Sequence, residues 1–145
     1  MNRFVTITTS NITDFAGVYQ EVFNSPPWSD GWSRDAVLER LESFAEFPSF
    51  LGWGLIREGS PVGFALGWGE RWVNGWTFQL KEMCITQQFQ SKGLGRALLE
   101  TATSELRGRG FRSINLVTGR SSPAAAFYEH VGFGEQGLVS LHRDL

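Results

Sequence analysis

Gln90-Ser91-Lys92-Gly93-Leu94-Gly95-Arg96 is the stretch on which the reading of this chain turns. Before it, Trp76–Thr86 has the composition of a strand. After it, Leu94, Ala97, Leu98, Thr101, Ala102 and Leu106 recur at helical spacing and predict a helix from Gly93 to Arg107, ended by Gly108 and Gly110. The turn therefore leads from a strand into a helix N-terminus. Such an end carries unpaired backbone N–H groups and partial positive charge. Gly93 and Gly95 allow close approach to the backbone, and Lys92 and Arg96 add full charge, a combination suited to a diphosphate. Two nucleotide loops are disfavoured. A Walker A loop needs Gly-Lys followed by Ser or Thr at the helix start, whereas Leu94 follows Lys92-Gly93 here, and a dinucleotide fingerprint needs a glycine at the position of Leu98. The turn alone still admits a second reading, a glycine-rich corner that merely starts a helix.

Working outward, Ser113–Thr118 alternates as a strand, so 76–118 has the length of a β-α-β crossover with parallel strands. Upstream, Phe50–Arg57 and Val62–Trp72 read as strands, and Asn74-Gly75 signals a hairpin into the strand at 76–86. Phe4–Thr8 suggests a first strand. Cap-type residues Ser10, Asn11 and Thr13 precede a helical stripe of Phe15, Val18, Tyr19, Val22 and Phe23, which Asn24-Ser25-Pro26-Pro27 breaks. Ser33 looks like the cap of a second helix with Val37, Leu38, Leu41 and Phe44 as its apolar face. Pro123, with Ser121 or Ser122 as cap, starts a short last helix ended by Gly132, and Leu138–Leu141 reads as a final strand. No repeat or linker interrupts the pattern, so 1–145 reads as a single mixed α/β domain.

Composition removes several function classes. Apolar residues are 41% and charged residues 19%, a globular balance rather than a disordered one. A net charge of −2 argues against nucleic acid as partner. No apolar run is long enough to span a bilayer, and the N-terminus lacks the pattern of a secretory signal, so a cytoplasmic location is expected. Cys84 is the sole cysteine, and with His130 and His142 it makes no metal-ligand cluster, so no metal is expected. Charge is unevenly spread. Residues 11–50 carry Asp14, Glu21, Asp30, Asp35, Glu39, Glu42 and Glu46 against Arg34 and Arg40, whereas 81–120 is rich in Lys and Arg. One half would favour a cation and the other an anion.

Gln90-x-x-Gly93-x-Gly95 resembles the acyl-CoA pyrophosphate signature of the GCN5-related N-acetyltransferase (GNAT) superfamily. Around it, Glu82-Met83-Cys84-Ile85 resembles the preceding strand. Ile114–Thr118 followed by Ala125-x-Phe127-Tyr128-Glu129-x-x-Gly132-Phe133 resembles the downstream strand and helix, and Pro61-Val62-Gly63-Phe64 the start of the central hairpin. The resemblance implies a mixed, mostly antiparallel sheet of about six to seven strands, flanked by four helices, with one splayed parallel pair. It implies acetyl-CoA as co-substrate, with direct transfer of the acetyl group to a primary amine in a ternary complex.

For individual residues the resemblance implies the following. Backbone groups of Cys84, Ile85 and Thr86 pair with the pantetheine arm, and those of Ser91, Lys92, Gly93, Leu94, Gly95 and Arg96 hold the pyrophosphate, with Gln90 where arginine is commoner. Ser121 stands where many members have a cofactor-contacting asparagine, and Phe127 packs against cofactor or core. Tyr128 matches the tyrosine near the thioester sulfur and would protonate the leaving thiolate; a phenol, with pKa of about 10, suits that task. Glu82 is the candidate base for the amine, through a water; its plainer reading is a surface or salt-bridged glutamate beside Lys81. A backbone N–H near Ile85 would stabilise the oxyanion. Trp28, Asp30 and Trp32 would receive an ammonium group, the alternative being that both indoles simply cover the core. The acceptor is then a small cationic amine or a peptide amine, and a homodimer is compatible with the pattern. A non-catalytic acyl-CoA sensor and a protein-interaction domain are the rival functions.

Overall fold

The computed structural model describes all 145 residues, which form two compact units, Met1–Asn115 and Leu116–Leu145. The first unit holds one sheet in chain order: β1 (Asn2–Thr6), β2 (Phe50–Arg57), β3 (Ser60–Trp72), β4 (Gly75–Ile85) and β5 (Phe111–Asn115). Pairing is antiparallel from β1 to β4, and β4 pairs with β5 in parallel, as the crossover length requires. Helices α1 (Ala16–Phe23), α2 (Arg34–Ala45) and α3 (Leu94–Gly108) belong to this unit, and α4 (Pro123–His130) to the second. No helix is long and apolar enough to cross a membrane.

The sheet therefore has five strands, not the six to seven expected. Leu138–Leu141 forms no strand: Leu138, Val139 and Leu141 are exposed, and so short a segment without a ladder partner has nothing to hold it extended. The strand expected at 113–118 lies earlier, at Phe111–Asn115, because Phe111 packs against Trp76 and Phe78 of β4, at centroid distances of 6.1 and 6.3 Å. The first helix also starts later than expected. Asn11 does not cap it; its side chain accepts from the Thr8 N–H (2.8 Å) and donates to the Thr6 carbonyl (2.9 Å), closing the corner after β1. A 3-10 turn at Ile12–Phe15 then leads into α1.

Successive residues of a strand face opposite sides of its sheet, and β2 shows which helices lie on each. A side chain at Gly54 would collide with Phe15, just before α1, whereas the Trp53 indole N–H donates to Glu105 of α3. One face is thus sealed by Phe15, Tyr19, Val22, Val37, Leu41 and Phe44 over Phe64, Leu66 and Cys84. On the other, Leu98, Ala102 and Leu106 are the buried stripe of α3.

The feature that shapes the functional region is a bulge. Leu66 is opposite Glu82 but Gly67 is opposite Leu80, so Lys81 is the extra residue of β4. A bulge bends its strand and strengthens the local twist. Parallel pairing with β5 ends nearby, at Gln79 opposite Asn115, while β4 continues to Ile85. The end of β4 is therefore a sheet edge inside the fold. Gly67 makes the bend possible: a Cβ there would lie 1.8 Å from the Gln79 carbonyl oxygen. Gly67→Ala should lower stability by roughly 2–4 kcal/mol, because backbone rather than a flexible side chain must give way. Denaturant unfolding checks this; a loss under 1 kcal/mol, on the order of a surface change, would show that the bulge tolerates a side chain.

Candidate active site

The 90–96 turn leads directly into the N-terminus of α3. Ser91 and Gly93 both take left-handed backbone conformations (φ 61° and 80°), and Gly93 is the N-cap of α3. Such a conformation is open to glycine at no steric cost. No side chain caps α3, in contrast to α2 and α4, where Ser33 and Ser122 accept from Ala36 and Ala125 N–H groups at 3.1 Å. The first N–H groups of α3 are therefore not taken up by a side-chain cap. Nothing lies within 4 Å of where a Gly93 side chain would begin, so the approach is open. Lys92 is exposed beside it, and Arg96 is exposed but shared with Glu100, at 3.2 Å.

The edge of β4 supplies a second set of backbone groups. The Thr86 N–H donates to the Val62 carbonyl at 2.8 Å, so Thr86, and by alternation Cys84, turn their backbone groups toward β3. Ile85 and Met83 turn theirs outward. The Gln90 side-chain amide confirms the direction, donating to the Ile85 carbonyl at 2.8 Å. Of the expected Cys84–Thr86 set, Ile85 thus presents its backbone to the edge, and Met83, which the sequence reading passed over, joins it. The Cys84 thiol is buried, and burial pushes its pKa well up, so it is an inert core group.

Glu82 sits just beyond the bulge, on the α1–α2 face. Its side chain is 11% exposed and its Oε1 accepts from Arg40 Nη2 of α2 at 2.6 Å. It is salt-bridged, then, but to Arg40 rather than to the neighbouring Lys81. Burial raises the Glu82 pKa, against the pull of Arg40 and Lys81; Asp30 adds to the rise. The Arg40 guanidinium lies over Trp32 (5.3 Å to the ring centroid) and Phe44 (4.6 Å). Tyr19, buried in the core, is next to both Arg40 and Glu82; its burial, followed by the charge of Glu82, pushes its phenol well above the usual range.

The loop before α2 joins this group. The Asn24 side chain brackets Trp32, accepting from its N–H (2.6 Å) and donating to its carbonyl (2.9 Å); Gln20 donates to the same carbonyl (3.1 Å). Trp32 packs edge-on to Tyr19 and donates its indole N–H to Asp30 at 3.1 Å. Trp28 instead packs edge-on to Phe23 and is 40% exposed. Trp32 and Asp30 are thus brought to Glu82, and the cation on Trp32 is the protein's own Arg40. The sequence reading missed Arg40, yet a signal existed: position 40 is three after Val37 and four before Phe44, on the buried stripe of α2.

In the second unit, Ser122 rather than Ser121 caps α4, and Ser121 is exposed. Tyr128 is half-buried between Phe127 and Phe133, at centroid distances of 5.3 and 5.5 Å.

The description of the acetyltransferase (GNAT) family matches residues 16–133. This chain belongs to that family. GNAT proteins use acetyl-CoA, and the chain is accordingly an N-acetyltransferase, which removes the sensor and interaction-domain readings. It is 30% identical over 133 residues to the [ribosomal protein bS18]-alanine N-acetyltransferase of Escherichia coli (strain K12), covering 90% of this chain and 81% of that one. Solved structures share the GNAT fold at low identity. An integron cassette protein from the mobile metagenome of V. cholerae gives a TM-score of 0.82 at 14% identity, covering 99% of this chain and 92% of the other. A ribosomal-protein-alanine N-acetyltransferase from Brucella melitensis biovar Abortus 2308 gives 0.79 at 15%, covering 99% and 100%. An aminoglycoside N-acetyltransferase in complex with CoA gives 0.77 at 18%, covering 99% and 95%.

The raised Glu82 pKa has a consequence for stability. The native state holds the Glu82 proton more tightly than the unfolded chain does, so it binds more protons wherever pH lies between the two values. Stability therefore falls as pH rises from 4.5, the ordinary value, through the raised native value. Glu82→Gln should remove this slope, measured by denaturant unfolding from pH 4 to pH 8; an identical slope in the variant would deny Glu82 a raised pKa.

Proposed function

We propose that this GNAT enzyme transfers the acetyl group of acetyl-CoA to the primary amine of a small cationic acceptor, with residues 1–145 acting as one catalytic domain in the cytoplasm. The observation that carries the donor half is the pairing of an uncapped α3 N-terminus with an outward-facing β4 edge on the same β4–α3 connection. The left-handed turn at Ser91 and Gly93 suits a pyrophosphate, and the Met83 and Ile85 backbone groups suit the amides of a pantetheine arm added as a short strand.

Acetyl-CoA as co-substrate supplies a thioester. The chain's own groups then do the following. Glu82 takes the proton of the acceptor ammonium through a water, for which a carboxylate with a raised pKa is better matched than an ordinary one. The outward Ile85 N–H donates to the developing oxyanion. Tyr128 gives its phenolic proton to the departing sulfur and regains one from the second proton that the acetylated nitrogen sheds, and Ser121 and Phe127 contribute to cofactor binding. Asp30, exposed and hydrogen-bonded to Trp32, gives the acceptor side negative potential.

A second acceptor reading has a specific support. The 30%-identical relative is named for acetylating an alanine of a ribosomal protein, so a peptide α-amine is the alternative acceptor. Turnover on a panel of polyamines, aminoglycosides and alanine-initiated peptides separates the two; activity confined to the peptides would displace the small-amine reading.

Gly95→Glu should abolish CoA binding in a folded protein, because its carboxylate would compete for the α3 N–H groups; calorimetry showing retained affinity would remove the turn from the cofactor site. Tyr128→Phe should lower kcat by roughly 100-fold with CoA affinity nearly unchanged. An unaltered kcat would take Tyr128 out of the reaction.

A further inference from the structure

We infer that Arg40 is a positioning residue of this acetyltransferase: it aims the Glu82 carboxylate and couples it to the Trp32 loop. The inference rests on the reading of Glu82 as the base and extends it to a residue on a different element.

The geometry is specific to a guanidinium. Its Cζ lies over both the Trp32 ring (5.3 Å to the centroid) and the Phe44 ring (4.6 Å), and its Nη2 reaches Glu82 at 2.6 Å. A lysine ammonium is a compact, strongly hydrated charge and would not serve two rings and a carboxylate at once as the delocalised guanidinium does. The arrangement does not serve stability well. Arg40 Nε is buried without a hydrogen-bond partner, and a buried ion pair is commonly no more stabilising than apolar side chains of the same volume. An apolar residue at position 40 would complete the stripe of Val37, Leu41 and Phe44. What Arg40 provides instead is orientation and charge for Glu82, together with a seat for Trp32, whose backbone Asn24 and Gln20 hold.

The groups facing Glu82 from each packed element single out Arg40. Tyr19 faces it from α1, and its raised pKa keeps it neutral. Asp30 faces it from the loop and Cys84 from β4, neither a cation. Lys81, adjacent on β4, is exposed and makes no ion pair with it. Glu21 lies at the Gln87 N–H, beyond the end of β4. Arg40 is therefore the cation in contact with the carboxylate. Losing it leaves burial and Asp30 unopposed except by Lys81, and the Glu82 proton becomes harder to remove.

The test is the pH dependence of kcat/KM for the amine. Arg40→Met should move the acidic limb up by about one pH unit or more, with KM for acetyl-CoA within about twofold of the parent. Arg40→Lys, which keeps the charge but loses the flat seat, should return the limb most of the way while kcat stays several-fold low, roughly 3- to 10-fold. In a Glu82→Gln background, Arg40→Met should leave the profile unchanged. If Arg40→Met does not fold, by circular dichroism, Arg40→Gln takes its place. A limb that stays put in the neutral variant while Glu82→Gln abolishes it would overturn the role of Arg40 and leave the base intact. A limb that survives Glu82→Gln itself would overturn the base, and this inference with it.

Discussion

The contact between the Gly67 backbone and the bulged segment of β4 is the constraint on which the rest depends. With no side chain at 67, the β4 backbone can come close enough to β3 for Lys81 to be carried as an extra residue. The bend coincides with the end of β4–β5 pairing, so the last residues of β4 have one strand neighbour instead of two. It also sits one residue before Glu82 and resets the alternation that places Glu82 and Cys84 on the α1–α2 face and turns the backbone of Met83 and Ile85 outward. A single unoccupied Cβ position thus governs both the docking edge and the direction of the candidate base.

The electrostatics follow a division between backbone and side chain. On the donor side, positive potential comes mainly from peptide N–H groups at α3, with Lys92 and Arg96 as exposed additions. Peptide dipoles need no counter-ion and do not titrate. On the acceptor side the charge sits on side chains, and each depends on its neighbours. Glu82, Arg40 and Tyr19 share one partly buried environment: burial and mutual charge pull in opposite directions at Glu82 and Arg40, and at Tyr19 burial and the Glu82 charge act together against Arg40. That side holds the cluster of ionisable side chains whose pKa values the fold displaces.

Much of the fold could be read from residues alone because its signals are local. The Asn74-Gly75 hairpin, the Ser33 cap and the apolar stripe of α3 each declare themselves within a few positions, and the parallel pairing of β4 with β5 followed from connection length. Leu138–Leu141 shows the limit: alternation describes a segment able to be a strand, not one with a partner. Asn11 shows another, since a cap-type side chain can satisfy the corner behind it as readily as the helix ahead. In the site, the turn that opens α3 was legible because it belongs to the backbone of one short segment. The Glu82 partner was not, because Arg40 lies 42 residues away and only the register of α2 against β4 brings it there. Trp32 was read as a receiver for a foreign cation; its ring is already covered by an internal one.

Gln90 has a bearing beyond the cofactor turn. Its amide reaches back to the outward carbonyl of Ile85. An edge strand with vacant carbonyls and N–H groups is a template for unwanted strands from other chains. The open stretch here is short, one of its carbonyls is already engaged, and the bulge twists it away from a flat ladder. Gln90 thus occupies an outward carbonyl of a short, bent edge, which leaves fewer vacant backbone groups for a strand of another chain to pair with.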